Sequence, residues 1–204
     1  MKKLISGVIV ALSLVSVAWA GGDAAAGQAK AAVCGGCHGM DGNSAVPNFP
    51  KLAGLGERYL LKQIKDIKSG ARQVPEMTGL LDALTEQDMA DIAAYFNSKQ
   101  RSEGVAPDKA LAEKGRKIYM SGIKSKKIPA CMACHSPTGQ GNAAAGFPAL
   151  AGQHSDYIVK QLKNFRSGAR ANDGDTRMMR TTAYNLHDTE IEAVAAFIQG
   201  LRKQ

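Results

Sequence analysis

The sequence predicts an all-α protein built as two tandem units, and three observations carry that prediction. Phe49-Pro50-Lys51-Leu52-Ala53-Gly54 returns as Phe147-Pro148-Ala149-Leu150-Ala151-Gly152, an offset of 98 residues. Carried through Arg72, this offset keeps 13 of 24 positions identical and ends in Ser69-Gly70-Ala71-Arg72 against Ser167-Gly168-Ala169-Arg170. Such similarity at one long offset marks a duplicated globular unit rather than a solenoid. Tyr59, Leu60, Ile64 and Ile67 fall at helical spacing, and Tyr157, Ile158, Leu162 and Phe165 repeat the stripe. Finally, no stretch carries a convincing alternating strand pattern.

The elements follow in chain order. Met1-Lys2-Lys3, an apolar run from Leu4 to Val17 and Ala18-Trp19-Ala20 have the make-up of a cleaved export signal over residues 1–20. An uncleaved anchor is the alternative, at the short edge of what spans a bilayer. Cleavage would leave 184 residues, divided into a first unit over 21–98, a polar linker over 99–107 and a second unit over 108–204. Asp23 can cap a helix from Ala24 to Val33, and Thr85-Glu86-Gln87-Asp88 resembles a capping box opening a helix through Phe96. Asp188 opens the counterpart, which runs to about Leu201. Domains of this size bury only a modest core, so a large apolar cofactor would complete it.

All four cysteines lie in two runs, Cys34-Gly35-Gly36-Cys37-His38 and Cys131-Met132-Ala133-Cys134-His135. Cys-x-x-Cys-His is the attachment pattern of a c-type haem: two thiols add to the porphyrin vinyls and the adjacent imidazole reaches the iron. A thioredoxin-like pair would need a βαβ surround that is missing. A single four-thiolate zinc site would leave both His unexplained and would join pairs 97 residues apart. Two plain disulfides would not require a His at the same offset twice. The expectation is two covalently bound haem c groups, held by Cys34, Cys37, Cys131 and Cys134, with His38 and His135 on the irons.

The second axial ligand separates a carrier from a catalyst, because a closed iron does not readily bind oxygen or peroxide, and a thioether favours reduced iron. Met1 leaves with the leader, Met40 is too near His38 to reach the opposite face, and Met132 lies inside the second motif. Met120 precedes that motif, and Met89 reads as helix core. Met77 remains, with the pair Met178-Met179. Past Arg170 the second copy carries four extra residues, which places Met77 on Met179, each seven residues before a leucine. Met179 is therefore the expected partner and Met178 the alternative, one residue of slippage away. His154 and His187 correspond to Gly56 and Thr85 in the first copy and are expected on the surface.

With these residues in view, each half resembles a class I cytochrome c domain: the haem motif, a Pro-x-Leu-x-Gly loop, a late methionine and a closing helix with an aromatic. The whole chain resembles the dihaem cytochrome c4 family, through the duplication, Glu76-Met77-Thr78-Gly79 and Asn172-Asp173-Gly174-Asp175 before Met179. That resemblance implies a Pro50 carbonyl accepting from His38 and a Pro148 carbonyl accepting from His135. It implies helix crossings at Gly27 with Tyr95 and at Gly115 with Phe197. In function it implies a periplasmic electron carrier, not an enzyme, whose haems face one another. Such a carrier passes electrons from an upstream donor toward a terminal oxidase, often of the haem-copper cbb3 type. The haem subunit of a flavocytochrome-type dehydrogenase, or a dihaem peroxidase, is the alternative.

Charge adds a further expectation. The chain carries a formal +8, yet residues 21–102 balance at zero while 103–204 carry +6. An insertion of nine residues before the second motif places Lys124, Lys126 and Lys127 on one loop. Nucleic acid does not fit an exported haem protein. An acidic protein partner, or an anionic membrane surface bound peripherally, does.

Overall fold

The computed structural model describes residues 21–202, so the leader expected over 1–20 lies outside the described residues. The chain opens with α1 (Ala24–Lys30), whose N-terminus is capped by Asp23: its carboxylate accepts from the amides of Ala25 at 2.8 Å and Ala26 at 3.3 Å. Sequence predicts one helix to Val33. Instead the chain tightens after Lys30 into a 3₁₀ segment, Ala31–Cys34, and then a single α turn, α2 (Gly35–His38). The tighter turn satisfies helix-end carbonyls and leaves His38 buried, Cys34 half-buried and Cys37 exposed.

After α3 (Glu57–Lys68) and a 3₁₀ turn at Pro75–Met77, the unit closes with α4 (Glu86–Ser98). Its capping box is formed, Thr85 Oγ1 accepting from the Asp88 amide at 3.1 Å and Asp88 accepting from the Thr85 amide at 2.8 Å. The second unit repeats the order with α5 (Lys109–Ser121), α6 (Met132–His135), α7 (Ser155–Ser167), α8 (Met178–Ala183) and α9 (Asp188–Gly200). Among the described residues the only extended pairings are the isolated bridges Ile123–Ile128 and Asn142–Phe147. The fold is all-α.

In each unit the first helix crosses the last, α1 on α4 and α5 on α9. The crossings are glycine-dependent. A Cβ at Gly27 would collide with the Asp91 carbonyl and lie 2.9 Å from Tyr95 Cβ, and one at Gly115 would collide with the Ala193 carbonyl. The two aromatics then diverge: Tyr95 faces Gly27, while Phe197 packs on Tyr119 with the rings tilted by 54° and their centres 5.2 Å apart. Around the first crossing Ala31, Leu60, Ile92 and Phe96 form a buried core against which Cys34 packs. The second unit has two clusters, one around Tyr119, Ile158 and Val194, the other around Ile128, Phe165 and Ile191.

The two units meet through polar side chains arranged with near two-fold symmetry. Arg72 donates to Gln63 Oε1 at 2.9 Å, to Tyr157 Oη at 3.0 Å and to Gln161 Oε1 at 3.1 Å. Arg170, its repeat partner, donates to Gln161 Oε1 at 2.8 Å, to Tyr59 Oη at 3.1 Å and to Gln63 Oε1 at 2.9 Å. Gln153 meanwhile brackets Lys51 from across the interface, accepting from its amide and donating to its carbonyl, both at 2.9 Å. His154, expected on the surface, is half-buried and bonds the Ser44 carbonyl of the other unit at 2.8 Å. Sequence misjudged it because its counterpart is Gly56, and only docking of the halves creates its partner. His187 is exposed, as expected.

Candidate haem sites

Both sites begin with a short α turn, α2 or α6, that carries the second thiol and the imidazole of the motif. In the first unit Cys34, Cys37 and His38 line an apolar cleft with Phe49, Leu52, Ile64, Leu81 and Phe96. Met77, on its 3₁₀ turn, lines the same cleft. The structure therefore brings together every residue that the sequence picked out for the first site. No disulfide joins the four cysteines among the described residues.

The imidazoles are prepared for a metal. His38 Nδ1 lies 2.9 Å from the Pro50 carbonyl and His135 Nδ1 lies 3.0 Å from the Pro148 carbonyl. A carbonyl can only accept, so the proton must sit on Nδ1. In the neutral ring this leaves Nε2 with its lone pair. Burial lowers the pKa of both rings, against the opposing effect of the proline acceptors, and so favours that neutral form. Phe49 and Phe147 stand edge-on or tilted to the two imidazoles at 6.1 and 6.3 Å.

In the second unit Cys131 packs against the cluster around Tyr119, and Met179 packs against the cluster around Ile128. Ile118, Val159 and Leu162 belong to both clusters and connect them. The pair Met178-Met179 divides on α8: Met179 faces this core, whereas Met178 is 43% exposed. Burial raises the Cys131 thiol to about 11 and also raises Cys34.

These donor sets fit two haem c groups: each has paired thiols and one imidazole with a free Nε2, set against an apolar cleft in the first unit and apolar clusters in the second. When bound, each haem supplies an iron that takes up and releases one electron. The chain's own residues attach it, orient the imidazole through a proline carbonyl and exclude water with aliphatic and aromatic walls.

Sequence reasoning missed part of the cleft. Arg72, Tyr157, Gln161 and Arg170 line the first cleft as well as the interface between the units. Burial alone would push the Tyr59 phenol up, but the Arg170 and Arg72 guanidiniums beside it bring it below its ordinary value. The signal was present as the duplicated Ser-Gly-Ala-Arg, a polar tetrapeptide kept identical in both copies. The inserted loop also differs from expectation. Lys126 is paired with Glu190 at 2.7 Å, so only Lys124 and Lys127 of its three lysines stand exposed.

Comparison with known proteins agrees with this geometry. The family described as Cytochrome c matches twice, over residues 24–100 and 112–202. A cytochrome c4 of Pseudomonas aeruginosa is 57% identical over 201 residues, covering 98% of this chain and 100% of the relative. The crystal structure of reduced recombinant cytochrome c4 from Pseudomonas stutzeri superposes with a TM-score of 0.87 at 56% identity, covering 89% of this chain and 100% of that one. More distantly, a thiosulfate dehydrogenase electron acceptor of Stutzerimonas stutzeri is 36% identical over 82% of this chain and 78% of its own length. With two haem-attachment motifs, two imidazoles held by proline carbonyls and likeness over nearly its whole length, the chain belongs to the cytochrome c4 family of dihaem c-type electron-transfer proteins.

Proposed function

We propose that this dihaem carrier works in the periplasm and relays electrons from an upstream donor toward a terminal oxidase of the haem-copper cbb3 type. The reading takes residues 1–20 as a cleaved leader, 21–98 and 108–204 as the two haem domains and 99–107 as their linker. It takes His38 with Met77, and His135 with Met179, as the axial pairs. The observation that carries it is the first cleft, where Cys34, Cys37 and His38 share one apolar space with Met77. An iron closed on both faces by protein donors is suited to outer-sphere transfer and not to binding a substrate. Among the described residues no helix is long and apolar enough to cross a membrane, so any membrane contact on this reading is peripheral. Lys124 and Lys127, exposed on the inserted loop, supply positive charge toward an acidic partner.

The test is reconstitution. Reduced protein carrying both haems should be oxidised by membranes containing a cbb3-type oxidase, at a rate that falls as ionic strength rises. No turnover with those membranes would sink the oxidase assignment.

A second reading is favoured by one observation, the likeness to a thiosulfate dehydrogenase electron acceptor. On it the chain accepts electrons from a dehydrogenase, as a partner or subunit. Rapid reduction by a purified thiosulfate dehydrogenase, together with copurification, would support this donor. The peroxidase alternative has less in its favour, because it needs one iron without a permanent methionine and both copies offer one.

A further inference from the structure

Arg101 lies in the stretch between the two units and is only 6% exposed. Its Nε donates to the Ala53 carbonyl at 2.9 Å, and its Nη1 donates to the Ala149 carbonyl at 2.9 Å and the Ala151 carbonyl at 3.5 Å. Ala53 belongs to the loop Phe49–Gly54, and Ala149 and Ala151 belong to its repeat, Phe147–Gly152. Those are the loops whose Pro50 and Pro148 carbonyls hold His38 and His135. One guanidinium thus bonds the imidazole-holding loops of both units. The second loop also touches the residue that follows the first, the Ala149 amide donating to the Leu55 carbonyl at 3.3 Å.

No carboxylate among the described residues bonds Arg101. All three acceptors are main-chain carbonyls, and the remaining Nη2 is buried with no hydrogen-bond partner from the described residues of the chain itself. Burial draws the guanidinium down to about 10, still well above neutral pH. Lys51, also buried, is a second cation nearby, and its Nζ donates to the Ser102 carbonyl at 3.1 Å. Carbonyl dipoles solvate a guanidinium without neutralising it, and a buried charge is weakly screened.

We propose that Arg101 is a positioning residue shared by the two haem sites, tying both imidazole-holding loops to a single buried positive charge that raises both haem potentials together. Reduction adds one negative charge to each iron–porphyrin centre, so a fixed positive charge beside both loops favours the reduced form of each. The linker, on this account, does more than join the domains: it gives them a common electrostatic reference. The proposal rests on His38 and His135 as the iron ligands.

The test is potentiometry on the full chain carrying both haems. Arg101→Gln should lower both midpoint potentials by similar amounts, on the scale of a tenfold change in the reduced-to-oxidised ratio, about 59 mV for a one-electron couple. Arg101→Lys, which keeps the charge, should recover most of the shift. Lys51→Gln, whose side chain sits on the first loop alone, should move the first haem more than the second. If Arg101→Gln does not load both haems, Arg101→Met replaces it, since a hydrophobe of similar length tolerates such burial. Unmoved potentials, a shift in one haem only, or an Arg101→Lys shift as large as that of the neutral variant would each overturn the proposal. Low-spin, methionine-ligated spectra kept in every variant separate that failure from a failure of the ligand assignment, which would show in the unaltered protein.

Discussion

The two halves share a haem motif, a proline loop and a helix crossing, yet they present their methionines on different structures. In the first half Met77 ends a three-residue 3₁₀ turn, Pro75–Met77, at the rim of the cleft. In the second, four extra residues lead into a helix, α8, that packs Met179 against Ile191 and its neighbours. The longer segment is fastened by Asp173, which accepts from the Arg180 amide at 2.9 Å and from Arg180 Nε at 2.6 Å. The inserted loop adds another anchor, with Ile128 buried in the same cluster and the Lys126 carbonyl accepting from Asn185 at 2.9 Å. The repeat thus carries its two late methionines on quite different supports. Identity concentrates where backbone and cofactor meet, and divergence falls where a loop needs only to reach the cleft.

The largest effect should come from attachment. Cys131→Ser with Cys134→Ser should leave one haem per chain and a second unit open to proteolysis, while the first stays folded, because the porphyrin is much of a small core. A haem-to-protein ratio with limited digestion checks this, and a protease-resistant, haem-free second unit would contradict it. The mirror pair, Cys34→Ser with Cys37→Ser, asks whether the halves depend on haem equally.

Next is the ligand comparison. Met77→His and Met179→His should each keep the haem but lower one potential, since imidazole favours ferric iron more than thioether does. Met178→Ala should leave both methionine-to-iron charge-transfer bands in place. If Met178→Ala abolishes one band and Met179→Ala does not, the register of α8 at the iron is shifted by one residue.

The crossings offer a smaller and more symmetrical test. Gly27→Ala and Gly115→Ala each push a methyl into a facing carbonyl, and each should cost about 1–3 kcal/mol in denaturant unfolding. Equal losses would show that the crossing, and not its aromatic, sets the tolerance. A loss at Gly27 alone would give the difference to Tyr95.

The smallest effects belong to ion pairs and pH. Lys30 holds Asp88 and Asp91 in the first half at 2.6 and 2.7 Å, and their carboxyls lie below their ordinary values chiefly through those bonds. Depressed carboxylates contribute stability that is complete above their unfolded pKa and is lost as the pH falls through the folded one. Lys30→Met should therefore flatten the acid limb of the first half's stability profile. In the second half Glu190, which burial would raise, is lowered by Lys126. Lys126→Met should do the same there, by under about 1 kcal/mol. An unchanged acid limb in both variants would remove these pairs from the account of stability.

Much of this was legible in the sequence because it is local or repeated. Two five-residue motifs announce the haems, Asp23 and Thr85 announce helix starts, and one offset announces the duplication. Met179 over Met178 came from the offset, and α8 packs Met179 on the core while Met178 stays exposed. What misled the reading was context: Lys126 reads as a free surface charge until Glu190 is beside it, and His154 reads as exposed until Ser44 arrives from the other half.

By itself, then, the sequence determined the helical class, the two-unit plan, the haem chemistry and the residues to suspect at each iron, because these depend on spacings of a few residues and on covalent chemistry. Only the tertiary structure decided how the halves meet. Arg72 finds Tyr157, Arg170 finds Tyr59, and Arg101 disappears between two loops that are 98 residues apart in sequence. A polar residue in a linker carries no local mark of burial. Its environment comes from chain segments brought together only after each unit has folded, and no pattern within the linker records which carbonyls will surround it.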